Sequence, residues 1–268
     1  MTGTAPGKTR PDLPGVVKSP VLGLTLAVGN FIVGRALHED ISPLSLNFWR
    51  WVIALAILLP FTLHSLIQYR HKLARLWLLL LSLAFTGIAC FQTFVYFALI
   101  TTMTVAFAGA VLLIAHGDLR SLTAMQFGKG DLWMLVAVVM WAIYSLLVKK
   151  KPVDIPQAVL LSASSLIAIL LMLPVALLTD QLTVTLNPQT TWGILYVAIF
   201  PSVLAFLLWN RGVIQIGPGR TGAFMYLMPF FGAALSMLFL DEKIQLYQLA
   251  GGALVLGGVI VLNWRQSA

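Results

Sequence analysis

An all-helical integral membrane protein, with ten spans in two inverted halves of five, is the fold class this chain predicts. Three observations carry it. Of the 268 residues, 59% are hydrophobic and only 10% charged, with mean hydropathy +0.93, whereas a soluble domain carries about 25% charged residues. The apolar residues fall in long unbroken runs without strand-like alternation, as spanning helices do. The second half of the chain also repeats landmarks of the first.

Taken in order, residues 1–20 are polar, rich in Pro and Gly, and carry Lys8, Arg10 and Lys18. They lack the apolar core and cleavage site of a signal peptide and read as a mostly disordered cytoplasmic tail. A first span is expected at about 21–37 and a second at about 44–63, after the helix-starting Ser42-Pro43. A basic loop with Arg70, His71, Lys72 and Arg75 follows, then a third span at about 76–100. Residues 103–116 are apolar for only about a dozen positions, too few to cross about 30 Å of hydrocarbon at 1.5 Å per residue. After the polar stretch 117–131, spans are expected at about 132–148 (closed by Lys149–Lys151), 157–178, 192–216, 221–240 and 245–262. The chain thus divides into a tail (1–20), a first repeat (21–116), a connection (117–131) and a second repeat (132–264).

The repeat is visible in paired landmarks. Ile41-Ser42-Pro43 matches Asp154-Ile155-Pro156 at an offset of 113, Pro60 matches Pro174 at 114, and Trp77 matches Trp192 at 115. The short run 105–113 matches 254–262 at an offset of 149. The jump predicts that about 35 residues, the fourth helix and its loop, are missing near Thr102–Met103. Charge placement agrees. With the amino terminus inside and the short run counted as a span, Lys149–Lys151, Arg211, Arg220 and Arg265 fall outside; one extra span after Thr102 brings all of them in. Both termini are then cytoplasmic. Five spans per copy give opposite orientations, a plan that places a site near midplane between the halves.

The net charge of +8 arises from 17 Lys and Arg against 9 Asp and Glu. The basic residues sit in short loops, which fits orientation in the membrane and not nucleic-acid binding. Cys90 is the only cysteine and lies in an apolar run, so no disulfide or zinc framework exists. His38, His64, His71 and His116 lack metal-ligand spacing. The Gly-rich run 251–258 follows no strand and is no phosphate loop; it fits close helix packing or contact with a second copy. No catalytic triad, paired buried carboxylates or cofactor motif appears, so an enzyme is not expected.

Several marks, in this order, resemble one family. A helix ends in Trp209-Asn210, a small-residue turn follows at Gly217–Gly219, and Pro229 interrupts the next helix. Glu242 comes after it, and the last helix carries Gly251, Gly252, Gly257 and Gly258. In the front half, Asn30-Phe31 lies in the first span and Trp49-Arg50 opens the second. The pattern resembles the drug/metabolite transporter superfamily, specifically its EamA-type ten-helix members, and within it the aromatic amino-acid exporters of bacterial inner membranes. The resemblance implies a multi-pass inner-membrane carrier that exports small amphipathic metabolites, aromatic or bulky apolar amino acids among them, by alternating access.

The residues expected to line the route are Asn30, Arg50, Gln92, Tyr96, Trp141, Tyr144, Trp209, Asn210 and Tyr226. Arg50 is an expensive charge inside a span unless it faces a cavity or partner, and it suits a substrate carboxylate. Snorkelling to the interface is the alternative for Arg50, and interhelical bonding the alternative for Asn30. The aromatics suit a flat apolar ligand, or simply helix packing. Gly87, Pro201 and Pro229 are expected hinges, Pro201 matching Gly87 at an offset of 114. No acid lies deep in a span: Glu39, Asp40, Asp180, Asp241 and Glu242 all sit at ends. A proton relay is therefore not expected from these groups. A different class, a non-transporting scaffold or lipid-handling helper, is distinguished by the absence of a cavity between the halves.

Overall fold

A computed structural model describes residues 13–38, 40–98 and 129–227 of the chain. The Thr102–Met103 junction, Pro229, the Asp241-Glu242 turn and the Gly-rich last helix lie outside them. Among the described residues every regular element is helical.

The first helix, α1, spans Leu13–Ala36. It begins eight positions earlier than expected, so the stretch from Leu13 to Pro20, assigned to the disordered tail, is helical. Helix α2 spans Pro43–Gln68; Pro43 takes a first-turn position, and the Ser42 hydroxyl accepts from Ser45 N at 3.2 Å. A short helix, α3, covers Arg70–Arg75. Helix α4 runs over Trp77–Ala98, α5 over Lys129–Val148, α6 over Gln157–Leu178 and α7 over Pro188–Ile216. Asn187 caps α7, its Oδ1 accepting from Thr190 N at 2.7 Å. Gly217, at φ 86°, supplies the left-handed turn into α8, Pro218–Ala223.

Helices α2, α4, α6 and α7 are each long and apolar enough to cross a membrane. Their outward side chains, such as Phe61, Leu170, Leu178 and Trp192, are exposed and apolar, as a lipid-facing surface requires. Trp77 and Trp192 stand exposed at the starts of α4 and α7, where interfacial aromatics sit.

Both α4 and α7 contain one wide, π-helical stretch, Ala84–Cys90 and Ala198–Leu204, 114 positions apart. In α7 the cause is Pro201. It has no N–H, and its ring excludes the carbonyl four residues back, Val197. The Ser202 hydroxyl donates to that carbonyl instead, at 2.7 Å. In α4, Asn47 Nδ2 reaches across from α2 to Ile88 O at 3.0 Å and Thr93 Oγ1 at 3.0 Å. The expected hinge positions Gly87 and Pro201 thus fall within the two wide turns.

Contacts between connections fix which ends share a face. Lys72 pairs with Asp154, joining the stretch after α2 to the one before α6. On the other face, Ser45 Oγ donates to Gln181 O, and Trp49 Nε1 donates to Leu182 O at 3.1 Å. Helix α4 starts beside Lys72, and 22 residues carry it about 33 Å away. Helix α5 ends at the Lys149–Lys151 turn, on the Lys72 face. So α4 leaves and α5 enters on the same face. That relation fits the count in which an extra span after Thr102 brings Lys149–Lys151 to the face of Arg70–Arg75.

Candidate functional site

Where the two halves meet, helices of one pack on helices of the other: α1 on α7, and α5 on the wide turn of α4. The approach is close. A methyl group on Gly29 would overlap the Tyr196 hydroxyl, and one on Gly87 would overlap the Tyr144 ring. Between the halves lies a small cleft, part of it open to the outside. It is lined by Ala27, Asn30 and Phe31 of α1, Phe91, Gln92 and Val95 of α4, and Trp141 of α5. Gly23 of α1, Pro201, Ala205, Phe206 and Trp209 of α7, and Met225 complete it. Most of this wall is apolar.

Its polar end is built on Arg50, which is fully buried. Arg50 Nε donates to Ser202 Oγ at 2.7 Å. Arg50 Nη1 donates to Tyr96 Oη at 2.6 Å, Asn30 Oδ1 at 2.7 Å and Gln92 Oε1 at 3.2 Å. Tyr96 Oη in turn donates to Asn30 Oδ1 at 2.6 Å. Arg50 therefore ties α1, α2, α4 and α7 at one point, and it does not snorkel. Every partner is neutral. Arg50 Nη2 is buried without a partner among the described residues. A buried cation whose partners among the described residues are all neutral is costly in lipid.

A second group of lining side chains is aromatic. Trp141 packs against Phe91 at 4.5 Å between ring centres, Trp209 at 5.2 Å and Phe206 edge-on at 5.3 Å. Behind it, Trp209 Nε1 donates to Ser145 Oγ at 3.1 Å and Asn210 Nδ2 donates to Tyr144 Oη at 2.8 Å.

Eight of the nine expected site residues thus gather in two layers. Asn30, Gln92, Trp141 and Trp209 face the cleft. Arg50, Tyr96, Tyr144 and Asn210, expected to line it, are buried behind it and position the lining residues. The reason is desolvation: a buried polar group is retained where it finds partners, and these found each other. For Tyr226 the backbone alone is described. Reading polar groups missed Ser202, Phe91, Phe206 and Ala205. The repeat offset would have found Phe206 from Gln92: Ala27 and Trp141, Phe91 and Ala205, Gln92 and Phe206, and Val95 and Trp209 are all lining pairs 114 positions apart, whereas Ser202 corresponds to Ile88, which does not line the cleft.

Residues 20–115 and 128–264 each match the EamA-like transporter family, the first match being about 40 positions shorter than the second. An uncharacterized transporter of Archaeoglobus fulgidus is 25% identical over 286 aligned positions, covering 92% of this chain and 97% of that protein. The alignment is thus about 40 positions longer than the part of this chain it includes. The uncharacterized transporter YyaM of Bacillus subtilis is 29% identical over 59% of this chain and 52% of its own length. Protein PecM of Dickeya dadantii is 30% identical over 35% of this chain and 32% of its own length. No solved structure matches.

Proposed function

The chain belongs to the EamA-like transporter family, and we propose that it exports small amphipathic metabolites through the cleft between its halves. The substrates are aromatic or bulky apolar amino acids and lipophilic compounds of similar shape. Alternating access is the mechanism, with the wide turns at Ala84–Cys90 and Ala198–Leu204 absorbing the motion. The membrane is the bacterial inner membrane, with the basic turns at Arg70–Arg75 and Lys149–Lys151 on the cytoplasmic face.

One observation carries this reading: the cleft combines amides backed by a buried cation with a cluster of aromatic rings. That arrangement suits a ligand with one charged end and one flat apolar body. A scaffold has no use, beside a cleft, for a buried Arg50 whose partners among the described residues are all neutral. The lengths of the two family matches support reading the first half as short by one helix and its connection, as the charge count expects.

The test is flux of labelled aromatic amino acids in proteoliposomes, with and without a pH gradient. Saturable flux above that of protein-free vesicles is expected, with little response to the pH gradient. Absence of flux for every aromatic substrate would remove the reading.

A further inference from the structure

The chemistry of the polar wall goes beyond a general preference for amphipathic molecules. Arginine is a donor only. Its contacts with Asn30 Oδ1 and Gln92 Oε1 therefore fix both amides, with their oxygens turned toward Arg50. The NH₂ groups are what remains. Asn30 Nδ2 makes one long contact, 3.4 Å, to Gln92 Oε1. None of the described hydrogen bonds uses Gln92 Nε2. Both residues line the cleft. Four further donors are buried without partners among the described residues, Arg50 Nη2, Trp51 Nε1, Trp141 Nε1 and Gln157 Nε2, and of these residues Trp141 lines the cleft. The buried acceptors in the same state, Asn47 Oδ1, Gln157 Oε1 and Asn210 Oδ1, belong to residues that do not line the cleft. Nor does any Asp or Glu of the sequence lie within the apolar runs.

We propose that the cleft accepts its ligand as an organic monoanion, a carboxylate on a flat apolar body, and rejects the amine of the same shape. The carboxylate meets the amide donors of Asn30 and Gln92 with the Arg50 charge behind them. The body lies against Trp141, Phe206 and Trp209. A zwitterion satisfies the carboxylate end and leaves its ammonium with ring faces alone, so it ranks between the two. The proposal rests on the transport reading and narrows its substrate class.

A consequence concerns the driving force. One negative charge leaving a cell against an interior-negative potential gains about a 50-fold concentration ratio per 100 mV. Export of a monoanion therefore needs no coupling ion and no acidic relay within a span.

The experiment uses the full chain in proteoliposomes and three probes with the same ring: 3-phenylpropanoate, phenylalanine and 2-phenylethylamine. Flux in protein-free vesicles is subtracted. The expected order is acid, zwitterion, amine, with at least a tenfold gap between the first and the last. A potassium gradient with valinomycin, negative on the loaded side, should speed efflux of the acid. An amine moved as fast as the acid, or acid flux indifferent to potential, overturns the proposal while leaving transport intact. No flux of any probe removes the transport reading itself. As a second arm, Gln92→Glu neutralises Arg50 and should lower acid flux at least tenfold relative to amine flux. A folded variant with unchanged ranking counts against the proposal, and the wild-type ranking decides if that variant does not fold.

Discussion

In the first half, Tyr96 on α4 and Asn30 on α1 are joined by a 2.6 Å hydrogen bond; in the second, Asn210 on α7 and Tyr144 on α5 are joined by one of 2.8 Å. Asn30 and Tyr144 are 114 positions apart, as are Tyr96 and Asn210. The same phenol–amide bridge recurs with its two residues exchanged. Around it the halves diverge. Gln92 corresponds to Phe206, Ala27 to Trp141, Val95 to Trp209, and Arg50 to Ser164. At these positions the first half supplies a charge and an amide, and the second three rings. Keeping the bridge preserves the frame, and varying the side chains next to it makes the two halves of the cleft unlike. An inverted repeat with identical walls would bind a ligand equally well in either direction; these walls differ.

The largest expected effect comes from erasing that difference at Arg50. Arg50→Met should lower flux by about 100-fold or more, as loss of a buried hydrogen-bonded charge does at a binding site. Its melting temperature in detergent should change far less, because an apolar side chain of similar length leaves no buried charge behind. Arg50→Lys keeps the charge but not the fork that reaches Ser202 and Asn30 together, and should fall about tenfold. Wild-type flux in Arg50→Met would show that the polar end plays no part in transport.

Next is the corresponding pair of wide turns. Gly87→Ala places a methyl group where the Tyr144 ring lies. Overpacking of this kind destabilises by about 1–3 kcal/mol. The Gly87→Ala loss should be smaller in a Tyr144→Ser background than in the wild type, read by thermal melts of the two single variants and the double, which separates this contact from an effect of the turn itself.

How much of this was legible in the sequence depends on the kind of signal. The bounds of α6 fall at the expected 157–178, since Pro156 starts it and polar residues follow Thr179. The start of α1 was missed because residues 13–20 contain Pro14, Gly15 and Pro20, which read as breakers, yet the helix runs through them. Arg50 was visible as a charge in an apolar run. Its partner Ser202 was not, for 152 positions separate them and one serine among apolar residues carries no signal. Pro201 announced a break, but not that the wide turn would free a carbonyl for Ser202. The cleft lining was half legible: amides and tryptophans stand out by composition, whereas Phe206 emerges only through its offset from Gln92 and Phe91 carries no such signal.

A smaller effect tests the shared bridge. Asn210→Leu leaves the Tyr144 hydroxyl buried without its partner, which costs about 1–2 kcal/mol. Tyr144→Phe with Asn210→Leu removes both polar groups and should recover most of that stability. The matching exchange in the first half, Tyr96→Phe with Asn30→Leu, should not recover, because Arg50 then loses two acceptors. Equal recovery in both halves would mean that the two bridges do the same work and that Arg50 does not depend on its own.

The smallest effect lies at the basic face, where Lys72 and Asp154 join the halves in water. The Lys72 hydrogen bond holds the Asp154 carboxyl below its ordinary range, and the same bond raises Lys72 above its own. A depressed carboxyl contributes stability above its unfolded value and loses it as pH falls through the folded one. A raised ammonium contributes below its unfolded value and loses it as pH rises through the folded one. The pair is therefore intact between the ordinary values of 3.8 and 10.5, and neither group titrates near neutrality. Both side chains are about half exposed, so salt screens them and the contribution is small. Asp154→Asn should lower the melting temperature in detergent by no more than about 2 °C at low salt and neutral pH. The difference from wild type should vanish in about 1 M salt, where the screening length is about 3 Å, and again once the pH falls well below the carboxylate range. A difference that survived both would mean that Asp154 holds the halves together through its loop backbone and not through its charge.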